Sequence, residues 1–207
     1  MLQFYGHTVI VEVEFYFTNE ADAVAQHVIC DIEKRFIFLR GQIKPISAIL
    51  IENALQRLVK HNASLPICFF ISSAEGGDAY ASLRIFQMIR HSPLVINTIA
   101  VGVVYSGALL ILQAGKKRFA VSGTKHNFHM AEDTFLKGQV FNAQRYMAAV
   151  DTLMLIDAGQ FLIFTERGRP VAEIKRLFRS NAKISAQKAL KLNLIDGIVS
   201  KNTVPKT

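Results

Sequence analysis

Apolar positions change period several times along this chain. RFIFLRG is a continuous apolar run ended by Gly41, the pattern of a buried strand. In SAILIENALQRLVKH the apolar residues fall at Ile49, Leu50, Ala54, Leu55, Leu58 and Val59, which lie on one face of a helix. The exchange then repeats. LPICFFIS reads as a strand before SSAEGG, and DAYASLRIFQMIRHS as a helix ended by Pro93. LVINTIAVG reads as a third strand and SGALLILQAG as a third helix, with a turn near Gly102–Ser106. RFAVSG and HNFHM are two short extended pieces, and residues 141–165 form the longest helical candidate. After a break at GRP come a helix over VAEIKRLFRS and a helix with a terminal strand in SAQKALKLNLIDGIV. This alternation predicts an α/β fold built from parallel βαβ units with right-handed crossovers. Residues 1–34 form an arm: HTVIVEVEFYF alternates like a strand or hairpin, and ADAVAQHVICDIEKR is a short amphipathic piece.

Composition narrows the class. The 207 residues suit one domain with a sizeable core. With 51% hydrophobic and 19% charged residues the chain is not a disordered one. The net charge of +8 is spread over pairs and triplets such as Lys34-Arg35 and Lys116-Lys117-Arg118, without a groove-reading motif, so nucleic acid is not an expected partner. Cys30 and Cys68 sit among apolar residues and read as buried free thiols. The start of the chain lacks a basic region ahead of its apolar run and does not read as a signal peptide. Ser92–Gly115 is uncharged, but Pro93, Asn97, Gly102, Ser106, Gly107 and Gln113 interrupt it, so it reads as strand, turn and helix. No membrane span is expected there, and a cytoplasmic location follows as an expectation.

In an open α/β sheet, sites form beyond the carboxyl ends of the strands. Two glycine-bearing turns lie there: Glu75-Gly76-Gly77 after the second strand, and Tyr105-Ser106-Gly107 after the third. Glycine lets backbone N–H groups face a ligand with no Cβ in the way. A serine that opens a helix commonly serves as its N-cap. Ser106, however, follows a buried strand and opens an apolar helix, so its hydroxyl also has the setting of a nucleophile. His129 lies 129 − 106 = 23 residues downstream and is the natural base for it. Backbone N–H groups of Gly77 and Gly107 would then hold an oxyanion. Glu132 and Asp133 read as loop caps, His126 as structural or surface, Lys137 as a solvated lysine or an alternative base, and Asp196 as a turn residue. His7, His27, His61 and His91 have no metal-ligand spacing, and neither metal nor cofactor is expected.

These segments resemble the proteolytic subunit of the Clp protease, the ClpP family, from about Arg35 to Val199. GVVYSGALLILQAG resembles the family's nucleophile segment and assigns its serine to Ser106. KHNFHM assigns its histidine to His129, and SSAEGGDAY falls at its oxyanion loop, with Gly77 and Gly107 as donors. The resemblance implies a ClpP/crotonase-type ββα superhelix over residues 35–200, between the arm of residues 1–34 and a tail of residues 201–207. It implies a handle helix at about 141–165 that packs one ring of subunits on another. It also implies a serine endopeptidase acting on peptides or unfolded protein, assembled as homo-oligomeric rings, with an ATP-dependent unfoldase or a ClpP paralogue as partner.

The chain departs from the family pattern. Counting back from Ser185 puts Leu177 where the family has its catalytic Asp, and no carboxylate lies between Lys175 and Gln187. Asn181 is the nearest polar substitute. The family's Pro, Met and second Pro are Glu75, Gly107 and Ala131 here. Two alternatives therefore stand beside the peptidase: a catalytically weak or inactive ring subunit, and an acyl-CoA enzyme of the crotonase type.

Overall fold

The computed structural model describes residues 3–5, 8–10, 27–73, 75–132 and 142–203. Most of the N-terminal arm, residues 204–207, and the side chains of Asp133 and Lys137 lie outside the described residues. The chain divides into two compact units, Met1–Asn127 with Lys183–Thr207, and Phe128–Ala182.

In the first unit β1 (Gln3–Tyr5) and β2 (Thr8–Ile10) form a short antiparallel ribbon; only β2 falls in the alternating segment HTVIVEVEFYF, the rest of which lies outside the described residues. The main sheet has the order β10-β7-β6-β5-β4-β3: β10 (Gly197–Val199), β7 (Arg118–Val121), β6 (Ile96–Tyr105), β5 (Ile67–Ser73), β4 (Phe36–Arg40) and β3 (Val28–Asp31). All neighbours are parallel except β3, which runs antiparallel to β4. Residues 28–31, within the segment read as a short amphipathic piece, are thus an edge strand. Pairing with β4 overrides their weak local pattern. Helices α1 (Pro45–His61), α2 (Ala79–Arg90) and α3 (Gly107–Gln113) follow β4, β5 and β6 in turn, as parallel crossovers require.

The core follows from the period of two along each strand. Phe36, Phe38, Cys68, Phe70, Ile99, Val121 and Val199 pack as one cluster. Phe38 stacks on Phe70 at 5.7 Å, and Phe36 meets the same ring edge-on at 6.1 Å. The alternate residues Ile37, Leu39, Phe69 and Ile71 are fully buried too, so both faces of the sheet are covered. Burial pushes the Cys68 thiol up to about 12, which keeps it an inert core residue. At the sheet's end Arg118 is buried and held by Asp196: Nη2 donates to Oδ1 at 2.6 Å, and Nε and the backbone N–H donate to Oδ2 at 3.0 and 2.8 Å. Asp196 is therefore the clasp between β7 and β10, a role beyond the turn residue suggested by LIDG.

β6 is longer than its apolar run predicts. It continues through Gly102, whose φ of +68° bends the strand instead of ending it. Before the bend β6 pairs with β7 through Thr98–Ala100, and after it with β8 (Lys125–Asn127) through Val103–Tyr105. β8 in turn pairs antiparallel with β9 (Lys183–Ser185), a strand absent from the sequence reading. α6 (Ala186–Lys191) follows, capped by Ser185, whose Oγ accepts from the N–H of Lys188 at 3.2 Å.

The second unit holds α4 (Ala143–Thr165) and α5 (Val171–Arg179). Asn142 caps α4 by accepting from the N–H of Arg145 at 2.9 Å. Phe128, Phe161, Phe164 and Phe178 form an aromatic cluster of edge-to-face pairs at 5.3–5.8 Å. Of the α4 residues only Asp157 and Phe164 are buried, while Tyr146, Met147, Met154, Leu155 and Leu162 are exposed. By length and composition this helix is long and apolar enough to cross a membrane. It is also the pattern of a helix that another protein surface covers.

Candidate active site

Ser106 stands at the junction of β6 and α3, with φ +54° and ψ −121°. A side chain other than glycine occupies that conformation at a cost of about 1–3 kcal/mol, and such outliers cluster at functional sites. The main-chain hydrogen bonds that hold it are clear. Its N–H donates to the carbonyl of Asn127 at 3.3 Å, and its own carbonyl accepts from Leu109 at 2.9 Å. Its hydroxyl makes no capping bond to the helix. The serine thus sits at the cap position without serving as a side-chain cap.

The glycine pair lies against this serine. An ideal Cβ on Gly76 would fall 2.6 Å from Cβ of Ser106 and 2.8 Å from the carbonyl of Tyr105. Gly76 adopts φ +67° and Gly77 φ +144°. The loop is pinned from within by Ser73, whose Oγ accepts from the N–H of Gly76 at 3.1 Å. It is pinned from outside by Ile43, which donates to the carbonyl of Gly76 at 2.7 Å and accepts from Asp78 at 2.9 Å. These two bonds make Ile43 and Gly77 a parallel bridge. In such a bridge the bonded groups belong to residues 76 and 78, so the N–H of Gly77 itself points to the other side. A Cβ on Gly77 would sit 2.1 Å from the carbonyl of Ile43, so only glycine fits.

Gly107 opens α3, where the first N–H groups have no partner within the helix. A Cβ there would lie 2.1 Å from Oγ of Ser82, which donates to the carbonyl of Asp78 at 2.8 Å. Close packing of α3 on α2 thus requires glycine at this position. The structure therefore brings together Ser106, Gly76, Gly77 and Gly107 within one unit. That arrangement can present a hydroxyl beside backbone donors, the requirement for acyl transfer.

His129 belongs to the second unit, two residues past the end of β8. Its side chain is 11% exposed, and Nδ1 lies 3.2 Å from Oε1 of Glu132. Phe128 is fixed in the aromatic cluster, and its N–H donates to the carbonyl of Ala182 at 2.8 Å. That bond carries the register of β8 and β9, in which Asn127 faces Lys183, one residue further. Leu177 is buried on α5, and its carbonyl accepts from Ala182 at 3.0 Å. Asn181 adopts φ +48°, as the chain turns out of α5.

His126 is buried, and burial drives its pKa from 6.5 down to about 4, only partly offset by the Ile184 backbone beside it. It is a neutral core residue. Among the described residues no three His, Cys, Asp or Glu side chains gather as a metal site.

Comparison with known proteins agrees with this architecture. The Clp protease family model matches residues 20–202. An ATP-dependent Clp protease proteolytic subunit of Porphyromonas gingivalis is 28% identical over 81% of this chain and 75% of its own length. Proteolytic subunit 2 of Treponema denticola is 35% identical over 54% of this chain, and the alignment spans 55% of that protein. The chloroplastic proteolytic subunit 6 of Arabidopsis thaliana is 28% identical over 80% of this chain and 60% of its own length. With the family model covering most of its length, this chain belongs to the Clp protease family.

Proposed function

We propose that the protein is a serine peptidase of the self-compartmentalising Clp type, with Ser106 as nucleophile and His129 as its base. The strained, uncapped Ser106 with a glycine loop packed against it is the observation that carries this reading. In the reaction His129 takes the hydroxyl proton as Oγ attacks the peptide carbonyl. The N–H groups of Gly77 and Gly107 hold the tetrahedral oxyanion. His129 then gives the proton to the leaving amine, and water hydrolyses the acyl-enzyme by the same route in reverse.

The apolar exposed side of α4 favours assembly, since Tyr146, Met147, Met154, Leu155 and Leu162 form a surface costly to leave in water. In this reading α4 is the handle that packs subunits together. Substrates are peptides or unfolded proteins delivered by an ATP-dependent unfoldase, and the active sites face an inner chamber. A second reading, a non-catalytic ring subunit, is favoured by the absence of a carboxylate from residues 175–187. No observation on the site favours the acyl-CoA alternative.

A fluorophosphonate probe separates the two. Labelling of the assembled wild type that is lost in Ser106→Ala supports the peptidase. An assembled ring that takes up no label leaves the non-catalytic subunit.

A further inference from the structure

We propose that His27 is a positioning residue for the glycine loop of the site, acting through Ser47 and the turn that carries Ile43. Its catalytic meaning rests on the peptidase reading, while the contacts behind it all lie within the first unit. His27 directly precedes β3, and the register of β3 and β4 sets Val28 opposite Leu39, so the histidine stands beside the end of β4. Its Nε2 lies 2.6 Å from Oγ of Ser47, in the first turn of α1. Its ring also lies against Gly41, where an ideal Cβ would meet Nδ1 at 3.6 Å and Cε1 at 4.0 Å. One imidazole thus touches both ends of the turn, residues 41–47, that joins β4 to α1.

The glycine loop is docked on that turn. Gly41 donates its N–H to the carbonyl of Ser72 at 3.1 Å. Ile43 donates to the carbonyl of Gly76 at 2.7 Å and accepts from the N–H of Asp78 at 2.9 Å. A Cβ on Gly77 would overlap the carbonyl of Ile43, and Cδ1 of the same isoleucine lies 3.7 Å from the Cβ position of Gly107. Ile43, itself buried, therefore packs against both glycines whose N–H groups would hold the oxyanion. Whatever displaces Ile43 displaces the loop that carries Gly77, and a donor moved by a fraction of an ångström no longer meets the developing charge.

The chemistry of the pair suits a clamp. Ser47 is fully buried, and its Oγ accepts from the N–H of Lys44 at 2.9 Å, which leaves its proton to donate to Nε2 of a neutral imidazole. Burial, and after it the charge of Lys44, hold the His27 imidazole below its ordinary value against the opposing pull of Glu75, so the ring is neutral at pH 7. Truncation of His27 leaves a buried hydroxyl without its acceptor and frees one turn end from the other. The bonds of Ile43 remain, so the loss should be a fraction of the roughly 10²–10³-fold in kcat that removal of an oxyanion donor costs.

The test uses the assembled full-length protein and two readouts. The first is hydrogen–deuterium exchange read by mass spectrometry, which needs no activity. The second is peptide hydrolysis. His27→Ala is expected to speed exchange about fivefold in residues 41–47 and 75–78, with β6 and the body of α2 unchanged, and to cut kcat on the order of tenfold with KM little changed. His27→Gln, which sets an amide oxygen near the place of Nε2, should recover most of both. In a Ser47→Ala background His27→Ala should change neither any further. Unaltered exchange in His27→Ala overturns the proposal, and so does exchange raised equally along the whole chain. An active enzyme whose kcat does not fall, a loss that His27→Gln does not recover, or a loss that adds to that of Ser47→Ala overturns it as well. If the wild type takes up no fluorophosphonate, the peptidase reading fails by itself, and the exchange alone decides whether His27 holds the loop.

Discussion

Alanine at position 76 tests whether Ser106 is held for chemistry. The new Cβ would lie 2.6 Å from Cβ of Ser106, whereas carbon atoms rest at about 3.5 Å or more. The two groups must separate by about 0.9 Å. The carbonyl of Tyr105, 2.8 Å from the same Cβ, blocks relief on that side. A shift near 1 Å in a reacting group costs on the order of 100-fold in rate. Independently, φ of +67° costs a residue with a Cβ about 1–2 kcal/mol, a fall in Tm of roughly 2–8 °C for a chain of this size. Gly123→Ala separates the two effects. Gly123 has φ +89° with nothing within 4 Å of its Cβ position, so it carries backbone strain without a neighbour to displace. The assay is the second-order rate of fluorophosphonate labelling, alongside thermal unfolding of each variant. Gly76→Ala should label about 100-fold more slowly, and Gly123→Ala at the wild-type rate despite a similar loss in Tm. A Gly76→Ala protein that labels at the wild-type rate, or a Gly123→Ala protein equally slow, would refute the reasoning.

Three further outcomes are expected. His126 is neutral in the folded state, with its pKa lowered to about 4, while the unfolded chain takes up a proton below 6.5. Its contribution is therefore complete above pH 6.5 and is lost as pH falls toward 4, by about 3 kcal/mol. Urea unfolding across that range should show a shallower pH dependence in His126→Leu than in wild type. Asp196→Ala removes the carboxylate partner of the buried Arg118, which keeps its bond to Gln113, and should cost about 3–5 kcal/mol, a drop in Tm on the order of 10 °C measured by calorimetry. Leu155→Glu and Leu162→Glu, both on the exposed side of α4, should leave each subunit folded but reduce the oligomer mass in sedimentation; an unchanged mass would remove α4 from the assembly interface.

The alternation of continuous apolar runs with helical faces was enough to read strands β4, β5, β6 and β7 and helices α1, α2, α3 and α4. Burial in a parallel sheet leaves few polar positions, and helix faces repeat near every fourth residue, so both patterns are local. Two short strands escaped that reading. β3 and β9 have three or four residues each and form only because β4 and β8 supply hydrogen-bond partners from elsewhere in the chain.

At the candidate site, residue types and spacing singled out Ser106, His129, Gly77 and Gly107, because hydroxyl, imidazole and glycine amides have recognisable chemistry. The tight glycines needed coordinates. A Cβ clash with Ile43, Ser106 or Ser82 is a distance between chain segments remote in sequence. The strain at Ser106 is likewise a property of the junction between a bent strand and a packed helix. Glu132 was visible three residues after His129 but was indistinguishable from a loop cap. Its 3.2 Å approach to the imidazole, on a loop where Ala131 donates to Asp157, needed coordinates. Sequence by itself thus determined which groups were present and on which elements they lie, because those follow from local pattern. Which of them face one another was decided by tertiary packing, because directed contacts depend on backbone dihedrals and register that no local pattern encodes.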